Sequence, residues 1–173
     1  QDRTALIEQI RMLSELNRQM SSEARQLTQA LQGQSKVQGD WGEMVLERIL
    51  EVSGLENGIN YLTQTSYRDE NKQLKRPDAI LLLPQGKQVI VDAKVSLTAY
   101  LSYVHAEDAE TRAASLRQHV ESIRNHINEL TAKNYQELPQ VTSLDFVLMF
   151  VPIEAAFVAA FSARPELYEE ALR

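Results

Sequence analysis

Residues 76–96 read RPDAILLLPQGKQVIVDAKVS: two apolar runs either side of a Pro-Gln-Gly turn, with acids at Asp78 and Asp92 and a lysine at Lys94. Runs of this kind bounded by turn residues are the pattern of a β-hairpin. The turn selects the register. A two-residue loop of Gln85 and Gly86 would force Gln85 to positive φ, whereas a three-residue loop puts Pro84 at its first corner and leaves Gly86 in the left-handed position. The three-residue loop is therefore expected. It pairs Leu83 with Lys87 and, counted back, sets Asp78 opposite Asp92 on one face with Lys94 diagonal to both. Ala79, Leu81, Leu83, Val89, Val91 and Ala93 make the other face wholly apolar, and Ile80 and Ile90 lie beneath the acids. The charges are expected to emerge from a buried sheet at one point.

Two carboxylates opposed across a ladder repel, and more strongly in surroundings of low dielectric. A hard divalent cation taking oxygen ligands from both removes the repulsion, with Lys94 leaning over the same spot. A metal so placed also neutralises a phosphodiester and lowers the pKa of a bound water. Lys94 could then orient or deprotonate that water, or stabilise the charge of the transition state. The competing reading is a hairpin end where Lys94 simply pairs with the acids as a salt-bridge cluster.

The rest of the chain narrows the choice. A length of 173 residues fits one domain with a sizeable core, and 43% hydrophobic with 24% charged residues is ordinary soluble composition. There is no cysteine, which excludes disulfides, zinc-thiolate centres and Cys nucleophiles. A net charge of −6 argues against a generally basic nucleic-acid coat, so a polyanion has to be met by a local patch or by metal ions. No apolar run approaches the length of a membrane span, and QDRTALIEQIR lacks a signal-peptide core, so no membrane contact is expected of this fragment.

Leu6, Ile10, Leu13, Asn17, Met20, Ala24, Leu27 and Leu31 repeat at coiled-coil spacing, with Asn17 the polar residue that favours two parallel strands. An amphipathic helix lying on its own domain is the alternative. The domain division expected is 1–35 for the coiled-coil helix and 36–173 for the α/β unit. Asp40 is the expected cap of a helix through WGEMVLERILEVSG, stopped at Gly54, in which Glu43 and Glu47 share a face. YLTQTSY reads as a strand, RDENKQLKRP as a charged loop, and 108–134 as a long helix with Ala109, Ala113, Leu116, Val120, Ile123, Ile127 and Leu130 as its apolar stripe. FVLMFV (146–151) reads as a strand covered on both faces, followed past Pro152 by a helix from Glu154 to Phe161.

Pro77 and Asp78, then Asp92, Ala93 and Lys94 after a hairpin, behind a helix bearing Glu43, match the PD-(D/E)xK nuclease pattern. The longer blocks GDWGEMVLERIL, KRPDAILLLP, VIVDAKVSLTAY, KNY and MFVPIEAA resemble the RmuC family over roughly residues 36–165. The resemblance implies a restriction-endonuclease-like α/β core, a mixed sheet flanked by helices, behind an N-terminal coiled-coil helix. It implies metal-dependent cutting of DNA with Mg²⁺ or Mn²⁺ in recombination, limiting rearrangement at inverted repeats. Glu43, Asp78, Asp92 and Lys94 are then the catalytic residues, and Glu43, Asp78, Asp92 and Ala93 those that hold the metal. The heptad seam sets the expectation of a dimer through the coiled coil; the resemblance further implies an anchor to the inner membrane in a segment absent here with the domain on the cytoplasmic side, and a carboxyl end short of the family's last strand.

Glu43 has a second reading, because Asp40 and Glu43 stand like a capping box. Glu47, one turn on, could reach a metal or lie on a solvated face. Tyr100 and Tyr135 could stack on a base or touch a phosphate, though aromatic residues flanking helices are more often core. Lys72, Lys75 and Arg76 in the loop, with Arg117, His119, Arg124 and His126 on the long helix away from its apolar stripe, are the candidates for a DNA-gripping patch or else a solvated face. A rival of another class is a DNA-binding or scaffolding module that keeps the fold without the reaction.

Overall fold

The computed structural model describes residues 34–68, 72, 74–133 and 143–173, with residues 4, 7, 8, 10–16, 18, 19 and 22 of the amino-terminal stretch. Helix α1 (Ser35–Val52) leads to strands β1 (Tyr61–Thr63), β2 (Tyr67–Arg68), β3 (Leu74–Lys75), β4 (Ala79–Leu82) and β5 (Gln88–Asp92). Helices α2 (Thr98–His105) and α3 (Ala109–Ala132), strand β6 (Ser143–Met149) and helices α4 (Glu154–Ala163) and α5 (Glu166–Ala171) follow. A four-stranded sheet runs β1-β4-β5-β6, antiparallel except for the parallel β5–β6 pair, and β2 and β3 make a separate ribbon. The α/β class and the helix-flanked mixed sheet are as expected.

The hairpin register holds. Ala79 pairs with Val91, Ile80 with Ile90 and Leu82 with Gln88, and the Leu83 amide donates to the Lys87 carbonyl at 2.8 Å. The turn itself differs from expectation: Gln85 sits at φ 65° alongside Gly86 at 71°, so both are left-handed. Continuing the ladder places Asp78 opposite Asp92, just outside β4.

Alternation assigns each face its helix. Ala79, Val91 and Ala93 pack with Leu46 and Leu50 of α1, while Ile80 and Ile90 pack with Leu130 of α3. Gly42 lets α1 come close: a Cβ there would stand 3.2 Å from the Ala93 carbonyl oxygen. Gly54, at φ 82°, ends α1 with its amide on the Glu51 carbonyl and the Leu55 amide on that of Leu50, a Schellman closure. Asp108 caps α3 by accepting from the Thr111 amide at 2.8 Å.

Several expectations need correction. Asp40 lies inside α1, which begins at Ser35, so it is no cap and no capping box involves Glu43. YLTQTSY breaks at Gln64, φ 57°, and part of the charged loop becomes the β2–β3 ribbon. Helices α2 and α5 were not expected. Phe146 and Leu148 are exposed, so β6 is not covered on both faces. On α3 the buried residues are Ser115, His119, Val120, Ile123, His126, Ile127 and Leu130, which puts two histidines inside the stripe and Ala109 and Ala113 outside it. Of the coiled-coil seam, Ile10 is exposed and Leu13 half-buried, and neighbouring Leu16 packs against a cluster including Trp41, Leu97 and Tyr100. Leu6, Asn17, Met20, Ala24, Leu27, Leu31 and Tyr135 lie outside the described residues.

Candidate functional site

The end of the β4–β5 pair brings Glu43, Asp78, Asp92 and Lys94 to one corner, yet the two aspartates make different contacts. Asp78, buried at the bend before β4, accepts from the Ala93 amide at 2.7 Å and from the Lys94 ammonium at 2.9 Å. Lys94 also donates to the Arg76 carbonyl at 3.4 Å. Glu43, brought in by α1, lies within hydrogen-bond reach of Asp78. Burial first, then the Asp78 charge, pushes the Glu43 carboxyl above its usual range, and Lys94 and Arg76 only partly oppose this.

Asp92 is fully buried and turned to α3. Its Oδ2 accepts from Lys133 Nζ at 3.2 Å, and its Oδ1 accepts from the Lys94 amide at 3.2 Å. His126 Nε2 stands 3.0 Å from Oδ1, close enough for charge contact but off hydrogen-bond alignment. Burial pushes the Asp92 carboxyl up, but His126, Lys133 and the Lys94 amide outweigh it and hold it down at about 2. The other His126 nitrogen lies 3.7 Å from Glu129.

The donor set thus divides. Glu43 and Asp78 are two crowded carboxylates, one raised in pKa, of the chemistry a hard divalent cation takes, with both Asp78 oxygens already met by the Ala93 amide and the Lys94 ammonium. Asp92 is likewise engaged at both oxygens, by the Lys94 amide and Lys133, and among the described residues no group of three or more His, Cys, Asp or Glu is gathered for a metal. Ala93 contributes its amide to Asp78, and its carbonyl faces Gly42. Glu47 is turned to Asn57, whose amide donates to it at 3.3 Å.

The residues expected to form a basic patch differ in exposure. Lys72, Arg76 and Arg117 are exposed, and Lys75 lies on β3. Arg124 is tied to Glu170 at 2.8 Å and Glu121 at 3.1 Å. His119 is a correction: it is fully buried, 2.7 Å from the Ala156 carbonyl through Nε2 and 5.4 Å from the Tyr100 ring, so it cannot touch DNA. His126 likewise is buried against Asp92 and leaves the patch. Tyr100 is core. Sequence reasoning missed the pairing of His126 and Lys133 with Asp92. The available signal was spacing, since 119, 123, 126, 130 and 133 continue one helical face under the acid. An apolar hollow of about 370 Å³ lined by Leu13, Leu16, Phe150 and Phe157 holds none of these residues.

Fold and corner together define an α/β domain with an acid-and-lysine cluster at the end of a sheet. The chain belongs to the RmuC family, which it matches over residues 1–173. It is 51% identical over 173 residues to the DNA recombination protein RmuC of Salmonella typhimurium and 50% to that of Escherichia coli K12, in both covering 100% of this chain and 36% of the relative. An RmuC homolog of Pseudomonas aeruginosa is 49% identical over 170 residues, 98% of this chain and 37% of that protein. The chain therefore spans little more than a third of these relatives. No solved structure matches it.

Proposed function

We propose that this domain is a metal-dependent deoxyribonuclease of the PD-(D/E)xK type that acts in DNA recombination. The observation that carries the reading is the meeting of Glu43, Asp78 and Lys94, from three separate segments, with the Glu43 carboxyl raised by burial and by Asp78. A carboxyl perturbed by burial together with a specific charge partner is the mark of a functional-site candidate. Glu43 and Asp78 would hold Mg²⁺ or Mn²⁺, which when bound supplies phosphate neutralisation and an acidified water. Lys94, exposed at its tip and aligned by Asp78, presents a positive charge where a scissile phosphate would gain negative charge. Arg76 and Lys72, exposed just before Asp78, suit the flanking backbone of the DNA, and the relatives' name supports DNA as the substrate. Self-association through residues 1–33 and membrane anchoring elsewhere belong to the same proposal; among the described residues no helix is long and apolar enough to cross a membrane.

The test is incubation with single-stranded, duplex and cruciform DNA with and without Mn²⁺, at matched salt. Cleavage should require Mn²⁺ and fall on the order of a hundredfold or more in Lys94→Ala, with DNA affinity changing much less. One observation favours a second reading. Asp92 is already paired with the Lys133 ammonium and packed against His126, as in a DNA-binding or scaffolding module where such contacts hold the sheet end together. Wild-type protein that binds Mn²⁺ and DNA but cuts none of the three would select it.

A further inference from the structure

Past the end of β5 the chain keeps the alternation of a strand. Ala93, Val95 and Leu97 are buried, whereas Lys94, Ser96 and Thr98 are exposed. Each buried member is fixed in a different cluster: Ala93 in that of Leu46, Val95 in that of Ile123, and Leu97 in that of Trp41. Side chains hold the backbone as well. Asp78 accepts from the Ala93 amide and Asp92 from the Lys94 amide, while Gln38, itself buried on α1, accepts from the Leu97 amide and the Thr98 hydroxyl, both at 3.4 Å. The segment that joins β5 to α2 is thus held at nearly every residue, and what it presents to solvent is a row of polar side chains leading away from the corner.

We infer that this row is the track of the DNA strand beside the scissile phosphate, with Ser96 donating its hydroxyl to the neighbouring phosphate. The inference rests on the DNA reading above and says where that strand lies. Lys94 opens the row while staying paired with Asp78, so nothing has to be released for the strand to enter. Ser96 is the next exposed side chain, and Thr98, whose hydroxyl is committed to Gln38, closes the row. Side chains two residues apart along an extended chain stand about 6.5 Å from each other, a step that suits successive phosphates along one strand. Hydroxyls are ordinary donors to phosphate oxygens and fix the register of the backbone without reading its sequence. Residues 93–105 carry no acid in a chain of net charge −6, so the row's own segment adds no repulsion toward a polyanion. Arg76 precedes Asp78 and Ser96 follows Lys94, so a strand crossing the corner is met from both arms of the hairpin.

Fluorescence anisotropy of a labelled single-stranded DNA of mixed sequence, titrated with the whole chain over a series of salt concentrations, in EDTA and again in Ca²⁺, tests this. Ser96→Lys puts a charge on the track. It should tighten binding and steepen the fall of log K with log salt by about 0.7, the increment of one further phosphate contact on a single strand. Gln85→Lys puts the same charge at the exposed turn, the opposite end of the hairpin, and should leave the slope of wild type. Ser96→Ala should weaken binding several-fold with the slope unchanged, because a hydroxyl displaces no counterion. Ser96→Lys no steeper than Gln85→Lys, or Ser96→Ala binding as tightly as wild type, overturns the track and leaves the DNA reading standing. No binding by wild type at the lowest salt in either buffer, with the chain folded by circular dichroism, overturns both. If Ser96→Lys does not fold, Ser96→Ala against wild type decides alone.

Discussion

Asp78 and Asp92 face each other across one hairpin, yet one sits in an acidic corner and the other in a basic one. The difference comes from the helices on either side of the sheet. Helix α1 brings Glu43 toward Asp78, and the crowding leaves a raised carboxyl that Lys94 and Arg76 do not fully offset. Helix α3 brings His126 and Lys133 toward Asp92, and the acid is held at about 2 despite complete burial. Ladder register places the acids; the packed helices decide their electrostatics. Natural proteins tolerate strain where function needs it, so under the proposed function the Asp78 side is read as the working side and the Asp92 side as the anchor.

The largest expected effect breaks the anchor. Asp92→Asn leaves His126 and Lys133 against a neutral, buried group and should cost about 3 kcal/mol in urea unfolding. Asp78→Asn keeps an acceptor for the Ala93 amide, loses a pair to the half-exposed Lys94 and relieves Glu43, so it should cost no more than about 1 kcal/mol. Equal losses would erase the distinction between the corners. The acid limb supplies a check of sign. Because the folded Asp92 carboxyl is depressed to about 2 from 3.8, its stabilisation is complete above the unfolded value and is lost as pH falls from about 4 toward 2. Asp92→Asn should flatten that limb.

Next in size is the approach of α1. Gly42→Val places a branched side chain where even a Cβ stands 3.2 Å from the Ala93 carbonyl, and a loss of about 2 kcal/mol is expected. Gly42→Ala should be near neutral, because the contact is offset by up to about 1 kcal/mol of helix propensity. A Val variant as stable as wild type would show that α1 has room and that Glu43 is not pressed onto Asp78.

His119 sharpens the comparison from within α3. It is buried like His126, but its neighbours are Tyr100 and the Ala156 carbonyl rather than an acid, and burial holds its pKa below the usual value while the hydrogen bond to Ala156 partly opposes this. A depressed histidine binds protons more readily unfolded, so its contribution is complete above about pH 6.5 and lost as pH falls below it. His119→Gln should reduce the loss of stability between pH 7 and pH 5 in thermal melts. An unchanged slope would place the acid sensitivity elsewhere.

How far these contrasts were legible in the sequence follows from the range of each interaction. The hairpin register was legible because side chains alternate strictly and the turn admits few loop lengths, even though Gln85 took the left-handed conformation that turn chemistry disfavours. The meeting of Glu43 with Asp78 and Lys94 was legible through the resemblance, not through spacing, since nothing local joins α1 to the hairpin. The fate of Asp92 was not legible. It depends on which face of α3 meets the sheet, and the apolar count favoured a stripe containing Ala109, Ala113 and Leu116 over the one that buries His119 and His126. Small alanines weigh little in burial, and a histidine with a partner can replace an apolar residue, so the count chose the wrong edge of the right helix. Helix α2 was missed because its eight residues, TAYLSYVH, have no capping side chain and little amphipathic contrast.

The smallest expected effect concerns Glu43 and distinguishes a working corner from a merely crowded one. Its carboxyl is raised, first by burial and then by Asp78, so the folded state holds its proton more tightly than the unfolded chain. A raised acid stabilises fully below its unfolded pKa, and that contribution is lost as pH rises through the folded value. At neutral pH the ionised Glu43 is therefore a net cost, reduced by its partial exposure to a few tenths of a kcal/mol. Glu43→Gln should raise stability slightly at pH 7 to 8, and the gain should shrink as pH falls toward and below the ordinary carboxylate value of 4.5. The same substitution should weaken Mn²⁺ binding, because a neutral amide is a poorer partner for a hard cation than a carboxylate. Stability gained and metal affinity lost together would mark Glu43 as a ligand held in place at the fold's expense; stability gained with Mn²⁺ affinity unchanged would reduce it to a misplaced surface acid.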